Sequence, residues 1–205
     1  MEHTVTRING TRFQPDNEES ASPTPVTYKE LEFLFRILRG KGHEYEHYES
    51  SFEKTVRDVF IDEKINFLYE PLKFRIHDLD KLKPWEYTYT PDFLLEMKVN
   101  GKVVIVEAKG RKYFDDSIFR KYSLFMKQYS DRFYFVIITD MPYDSISKGL
   151  GKLGNGSKIS NEIWNVNHIH QGDNWKEHEE EEKKFIKIKL DNLTAKTNML
   201  ILRTV

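Results

Sequence analysis

Thr90-Pro91-Asp92-Phe93-Leu94-Leu95, then Val99-Asn100-Gly101-Lys102, then Val103-Val104-Ile105-Val106-Glu107-Ala108-Lys109-Gly110: this stretch decides the reading of the chain. Asn-Gly between two apolar runs is the strongest short hairpin signal, because the two-residue turn needs positive φ at both central positions. It predicts two antiparallel strands, Tyr87–Met97 and Lys102–Ala108. Reversal at Asn100-Gly101 then brings Asp92 back beside Glu107. Side chains two apart on a strand point the same way, so Glu107 and Lys109 share a face, about 7 Å apart along the backbone. Val104 is expected on that face too, while Val103, Ile105 and Ala108 do not all obey one simple alternation.

Two carboxylates and an ammonium at one sheet edge form a chemically meaningful set. Hydrolysis of a phosphodiester needs a divalent cation to neutralise developing charge and to acidify a water. Mg²⁺ takes hard oxygen ligands, usually one or two carboxylates, and keeps several waters. A lysine alongside can orient or deprotonate the attacking water, or stabilise the charged transition state. Taken singly, each residue has an ordinary explanation: Asp after Pro is usually a turn residue, and Glu and Lys two apart are usually a solvated edge pair. Taken together they point to a site. Glu107 and Lys109 follow directly from an apolar strand, where charges cost several kcal/mol unless paired or bound to metal.

Working outward, Ser50 or Ser51 opens a helix on which Phe52, Val56, Val59 and Phe60 form a stripe at i, i+4, i+7 and i+8. Ile65–Tyr69 reads as a strand broken at Pro71, Leu72–Ile76 continues extended, and Asp78–Glu86 is a charged loop. A helix is expected from about Asp115 to Tyr129, with Ile118, Tyr122, Phe125 and Tyr129 on one face. Phe133–Thr139 is an almost continuous apolar run, the mark of a strand buried on both faces. The pattern is α/β, a central mixed sheet flanked by helices. Residues 1–26 read as a flexible arm, with a short strand near Thr4–Ile8. Thr27-Tyr28-Lys29-Glu30 is a capping box before an added helix carrying Leu31, Leu34, Phe35 and Leu38. The core with that helix spans 27–140, and 141–205 form a C-terminal extension. Within it, Lys148–Lys158 reads as a mobile Gly- and Lys-rich loop and Asn174–Lys184 as a short helix. Ile186, Ile188 and Leu190 alternate with lysines and suggest a small terminal hairpin with Met199–Leu202.

Composition sets the limits. The chain has 205 residues, 39% of them hydrophobic and 32% charged, enough for a real core under a very polar surface. No apolar run is long enough to span a membrane, and none follows a basic start, so neither a membrane segment nor a signal peptide is expected. With no cysteine, disulfides, thiolate metal sites and thiol nucleophiles are all excluded, and a reducing, cytoplasmic interior fits. The net charge of -1 hides an uneven distribution. From Lys102 to Lys127 there are seven basic residues against three acidic ones, whereas Asp173–Glu182 holds six acidic residues and one lysine. A basic face can therefore bind phosphate while an acidic stretch balances the total. Arg111, Lys112, Arg120, Lys121 and Lys127 are the candidates for DNA phosphate contacts. Glu177–Glu182 reads as a solvated face or a lid over that basic surface. Five histidines, His43, His47, His168, His170 and His178, lack both cysteine partners and a His-x-x-x-His pair on a clear helix, which argues against zinc.

Pro91-Asp92 followed by Glu107-Ala108-Lys109 resembles the PD-(D/E)xK nuclease superfamily. More narrowly, Tyr87–Leu95 with Val106–Gly110 is similar to the phage endonuclease I family of four-way junction resolvases. Ser51-Phe52-Glu53-Lys54-Thr55-Val56 and Ile65-Asn66-Phe67-Leu68-Tyr69-Glu70 resemble that family's first helix and first strand, so the likeness covers about residues 50–140. It implies a restriction-endonuclease-like core with N- and C-terminal extensions. It further implies that Asp92, Glu107 and the Ala108 carbonyl are metal ligands, that Lys109 is the catalytic lysine, and that Glu53 completes a second metal position. Ser50-x-x-Glu53 is also a capping box, so Glu53 has a structural explanation of its own. Mg²⁺ is the implied cofactor, with Mn²⁺ as substitute, branched DNA the implied substrate, and a homodimer in a phage-infected or prokaryotic cell the implied setting. Two other readings stay open: a nuclease subunit for transposon-end or site-specific cleavage, and a non-catalytic DNA-binding module.

Overall fold

The computed structural model describes residues 5–7, 50–78, 85–110, 115–154, 156–167 and 175–201. The expected helix over residues 27–38 lies outside them. Eight strands and four helices are described: β1 (Val5–Arg7), α1 (Ser51–Asp62), β2 (Phe67–Tyr69), β3 (Leu72–Asp78), β4 (Trp85–Tyr89), β5 (Phe93–Val99), β6 (Lys102–Lys109), α2 (Asp116–Tyr129), β7 (Phe133–Thr139), α3 (Tyr143–Leu153), β8 (Glu162–Asn165) and α4 (Trp175–Ile201).

The central sheet has the order β2-β5-β6-β7-β8. β2, β5 and β6 pair antiparallel, while β6-β7 and β7-β8 pair parallel. The fold is thus α/β with a mixed sheet, consistent with a restriction-endonuclease-like core. The hairpin forms as expected: Asn100 and Gly101 have φ of 53° and 76°, as the two-residue turn demands. Every residue of β7 is buried, which fits a strand covered on both faces.

Alternation along β6 sorts the core into two layers. Val103 and Ile105 face a layer built from α2, β3 and β4, with Phe74, Tyr89, Tyr122, Phe125, Tyr129 and Phe135 at its centre. Their rings meet at centroid distances of 5.1 Å for Phe74–Phe125 and 5.4 Å for Tyr122–Phe135, a geometry worth about 0.5–1.5 kcal/mol per pair beyond burial. Val104, Val106 and Ala108 face the opposite layer, where α1 contributes Val56, Val59 and Phe60 and α4 contributes Ile186, Leu190 and Leu193. The expectation that Val104 shares the face of Glu107 and Lys109 is therefore corrected. β6 alternates regularly, and Val103 and Ile105 are the residues on that face.

The structure departs from the sequence reading in four other places. The expected strand Tyr87–Met97 is two strands in two sheets. β4 pairs with β3 in a small three-stranded sheet of order β1-β3-β4, and β5 belongs to the central one. Pro91 sits at the break, where it has no N–H to give to a ladder and restricts Thr90 before it. Residues 143–153, read in part as a mobile loop, form α3, because Ile146, Leu150 and Leu153 fall at helical spacing and pack against the core. The terminal hairpin is replaced by the 27-residue α4. Ile186, Leu190 and Leu193 stand at i, i+4 and i+7 and are buried, whereas Ile188 is 59% exposed. Alternation in the sequence had concealed a 3.6-residue period. Strand β8 was not anticipated.

Two contacts fix α2. Asp78, fully buried at the end of β3, accepts Nε and an Nη of Arg120 at 2.6 and 2.7 Å, a bidentate pair. On its other side α3 approaches so closely that a Cβ built on Gly149 would lie 2.4 Å from the Phe119 ring. Gly149→Ala is accordingly expected to lower stability by about 1–3 kcal/mol through overpacking. Gly151→Ala, in the same helix with nothing within 4 Å of the added Cβ, should raise it by up to about 1 kcal/mol through helix propensity. Urea unfolding of the two variants measures both, and equal effects would contradict the packing described here.

Candidate active site

The site is built at one end of β5 and β6. Phe93 pairs with Val106, so the register carried one step further sets Asp92 opposite Glu107, on the α2 side of the sheet. Pro91 ends the preceding segment, and the Asp92 carbonyl accepts the Glu70 N–H at 2.8 Å, which ties the entry of β5 to β2. Asp92 Oδ2 accepts the Ala108 N–H at 2.7 Å. Backbone N–H and C=O of one residue project to the same edge of a strand, so the Ala108 carbonyl lies on Asp92's side. Lys109 Nζ stands 3.8 Å from Glu107 Oε1. The three residues that the sequence singled out are thus brought together.

Glu107 is only 3% exposed and Asp92 7%. Both oxygens of Glu107 are held by phenols: Tyr122 donates to Oε1 at 2.5 Å and Tyr89 to Oε2 at 2.7 Å. The sequence reading missed these tyrosines as site residues. Tyr122 was placed on the apolar face of its helix, where a hydroxyl reaching a carboxylate is not visible in periodicity. Burial and the neighbouring Glu107 carboxylate push both phenols well above their ordinary value, so they remain hydrogen-bond donors. Burial likewise raises Asp92, with the Glu107 and Glu53 carboxylates adding to the shift and the Ala108 N–H and Lys109 opposing it. Glu107 is raised by burial against the pull of Lys109 and the two tyrosines.

Glu53 comes from α1, in the opposite layer. Ser50 Oγ donates to its Oε1 at 2.8 Å and accepts its own N–H at 3.2 Å, while Tyr69 donates to Oε2 at 2.8 Å. It therefore caps its helix and still lies close enough for its charge to act on Asp92.

The donor set suits a hard divalent ion. Asp92 Oδ1 accepts no hydrogen bond among the described residues, leaving a buried carboxylate oxygen with lone pairs to give. Among those residues no three His, Asp or Glu side chains converge into a single ligand group. Asp92, Glu107 and the Ala108 carbonyl are the groups here that could hold a hard ion, with water left to complete its shell.

The basic residues separate. Arg120 is engaged by Asp78, Lys127 is exposed near the end of α2, and Lys121 is half-buried beside the site. Arg111 and Lys112 lie outside the described residues, as do His43, His47, His168 and His170. The acidic run is not uniformly a solvated face. Glu182 is buried, and burial together with Asp140 and Glu179 pushes its carboxyl up to about 7, against the effect of His178. Asp140 follows β7 directly and lies beside Gly110, so this second acidic group borders the same sheet edge.

Raised carboxyls favour the folded state while protonated. The stability tied to Asp92 is full below pH 3.8, its ordinary value, and is lost as pH rises through its higher folded-state value. In EDTA at neutral pH, Asp92→Asn should therefore raise the melting temperature by several degrees, with no such gain in strong acid. Mg²⁺ should stabilise the wild type and leave Asp92→Asn unmoved. For Glu182 the loss runs from pH 4.5 to about 7. Glu182→Gln should remove that portion of the stability–pH curve, and an unchanged curve would contradict its burial against Asp140.

No family model matches this chain, and no curated protein matches it. Among solved structures it is similar to the crystal structure of protein VC1899 from Vibrio cholerae, at 15% identity and a TM-score of 0.38. That match covers 82% of this chain, and the chain spans 44% of the length of that protein.

Proposed function

We propose that this protein is a metal-dependent endodeoxyribonuclease that hydrolyses phosphodiester bonds in branched DNA as a homodimer. The observation that carries the reading is the convergence of Asp92, Glu107 and Lys109 at the ends of paired strands, with both carboxylates buried and one oxygen unspoken for. Charge of one sign is not sealed into a sheet edge without a compensating partner.

In this reading Asp92, Glu107 and the Ala108 carbonyl would hold Mg²⁺ or Mn²⁺, which would supply an acidified water and neutralise charge on the phosphate. Tyr89 and Tyr122 fix the Glu107 carboxylate in one orientation, so its oxygens need not reorganise during the reaction. Lys109 hydrogen-bonds the attacking water and offsets the negative charge that develops on the phosphate. Lys127, with Arg111 and Lys112, extends a basic track for the DNA backbone. A two-fold dimer would cut the two strands of a junction symmetrically. No described helix is long and apolar enough to cross a membrane.

Cleavage of a labelled four-way junction, beside linear duplex and single strand, in Mg²⁺ or EDTA, tests the proposal. Metal-dependent nicking of the junction is expected, with Asp92→Asn and Lys109→Ala each slower by about 10²–10⁴-fold. Equal cutting of all three substrates would keep the nuclease and remove the junction preference, favouring a transposon-end or site-specific role. Cutting that both variants retain would refute the site.

A further inference from the structure

Lys121 lies on α2 next to Tyr122, and its setting differs from that of the other lysines on the molecule. Its Nζ stands 5.4 Å from the centroid of the Tyr89 ring and 5.9 Å from that of Tyr122, the two rings whose hydroxyls hold Glu107. The side chain is half-buried. Among the described residues it makes no ion pair and donates no hydrogen bond. Several other described lysines have acceptors: Lys102 donates to the Ser130 carbonyl, Lys152 pairs with Asp116, Lys183 with Glu179, and Lys196 with Glu162. A cation seated against two aromatic faces is attracted by their ring quadrupoles, yet an ammonium withdrawn from water still seeks acceptors for its three N–H groups. Burial lowers its ammonium below the ordinary lysine value, with Lys109 adding to this and Glu107, Asp92 and Asp115 opposing it, so it shares the field of the site.

Charge matching indicates what this ammonium would take. With both carboxyls ionised, Asp92, Glu107, Lys109 and Lys121 are together neutral. A divalent ion on the two carboxylates leaves the group doubly positive. A phosphodiester attacked by hydroxide is doubly negative, and a substrate phosphodiester singly so. We propose that Lys121 is a second active-site ammonium, which donates to a non-bridging oxygen of the phosphodiester from the α2 side while Lys109 acts from β6. This rests on the nuclease reading above. It takes Lys121 out of the general basic track and makes it a residue that touches the reacting group. The cation–π seat on Tyr89 and Tyr122 links the position of this ammonium to the phenols that orient Glu107.

The test combines binding, turnover and stability in Lys121→Met, which keeps the aliphatic stem against the rings, and Lys121→Arg, which keeps the charge. Lys184→Met, exposed on α4, controls for the loss of one positive charge. With the four-way junction as probe, Lys121→Met is expected to lower the single-turnover cleavage rate about 10²-fold or more. It should weaken junction binding in Ca²⁺ by no more than about tenfold, with an unchanged melting temperature, and Lys121→Arg should recover part of the rate. Inorganic phosphate added with Mg²⁺ should raise the melting temperature of the wild type and not of Lys121→Met. Three results would overturn the assignment: a rate like that of Lys184→Met, a rate loss fully accounted for by a lowered melting temperature, or phosphate stabilisation that persists in Lys121→Met. If the wild type cuts no DNA but phosphate stabilisation still depends on Lys121, the nuclease reading fails and the anion site stands. If Lys109→Ala abolishes cutting and Lys121→Met does not, the reverse holds.

Discussion

Two carboxylates buried side by side on one face of a sheet are the constraint around which this molecule is arranged. Asp92 and Glu107 repel each other where little water reaches them; both oxygens of Glu107 and one of Asp92 are held by donors. The Ala108 N–H meets Asp92, Tyr89 and Tyr122 meet Glu107, and Lys109 stands at the rim. These contacts lessen the cost of burial without removing it, and both carboxyls remain raised. In the proposed reading a divalent ion would offset this cost, because it converts the repulsion into attraction.

The rest of the fold holds that arrangement in place. Antiparallel pairing of β5 and β6 sets Asp92 against Glu107, and parallel pairing of β7 with β6 buries the strand on its other edge. α2 crosses over from β6 to β7 and carries Tyr122 and Lys121 back above the carboxylates. It is anchored by Arg120 on Asp78 and by the close approach of α3 at Gly149. The small sheet brings Tyr89 to the same place from the other side. Four separate segments thus meet over Glu107, and a shift of α2 would loosen the phenol contact and the lysine seat together.

Local chemistry explains why part of this was legible in the residues. Asn100-Gly101 specifies a hairpin by backbone conformation alone and so returns Asp92 to the neighbourhood of Glu107 and Lys109. The register of the turn would set Asp92 opposite Lys109, but the irregularity between Leu95 and Lys98 shifts the ladder so that Phe93 pairs with Val106 and Asp92 stands opposite Glu107. Phe133–Thr139 announces a doubly covered strand by having no polar face. The helices α1 and α2 carry caps and stripes that can be read directly, with Ser50 and Asp115 observed as their N-caps. Where two periods coincide, the residues leave the outcome open. Ile186, Ile188 and Leu190 fit a strand by alternation, and only the presence of Leu193 one turn on, against a waiting apolar layer, selects the helix.

What the sequence by itself determined was the α/β pattern, the hairpin, and the grouping of Asp92, Glu107 and Lys109, because each follows from neighbours within about twenty positions. Only the tertiary structure decided that Tyr87–Met97 divides between two sheets, that Tyr89 and Tyr122 hold Glu107, that Arg120 serves Asp78, and that Lys121 faces the carboxylates. A hydroxyl or an ammonium at the end of a long side chain takes its role from what lies within hydrogen-bond reach in space. That is fixed by the packing of segments far apart in the chain.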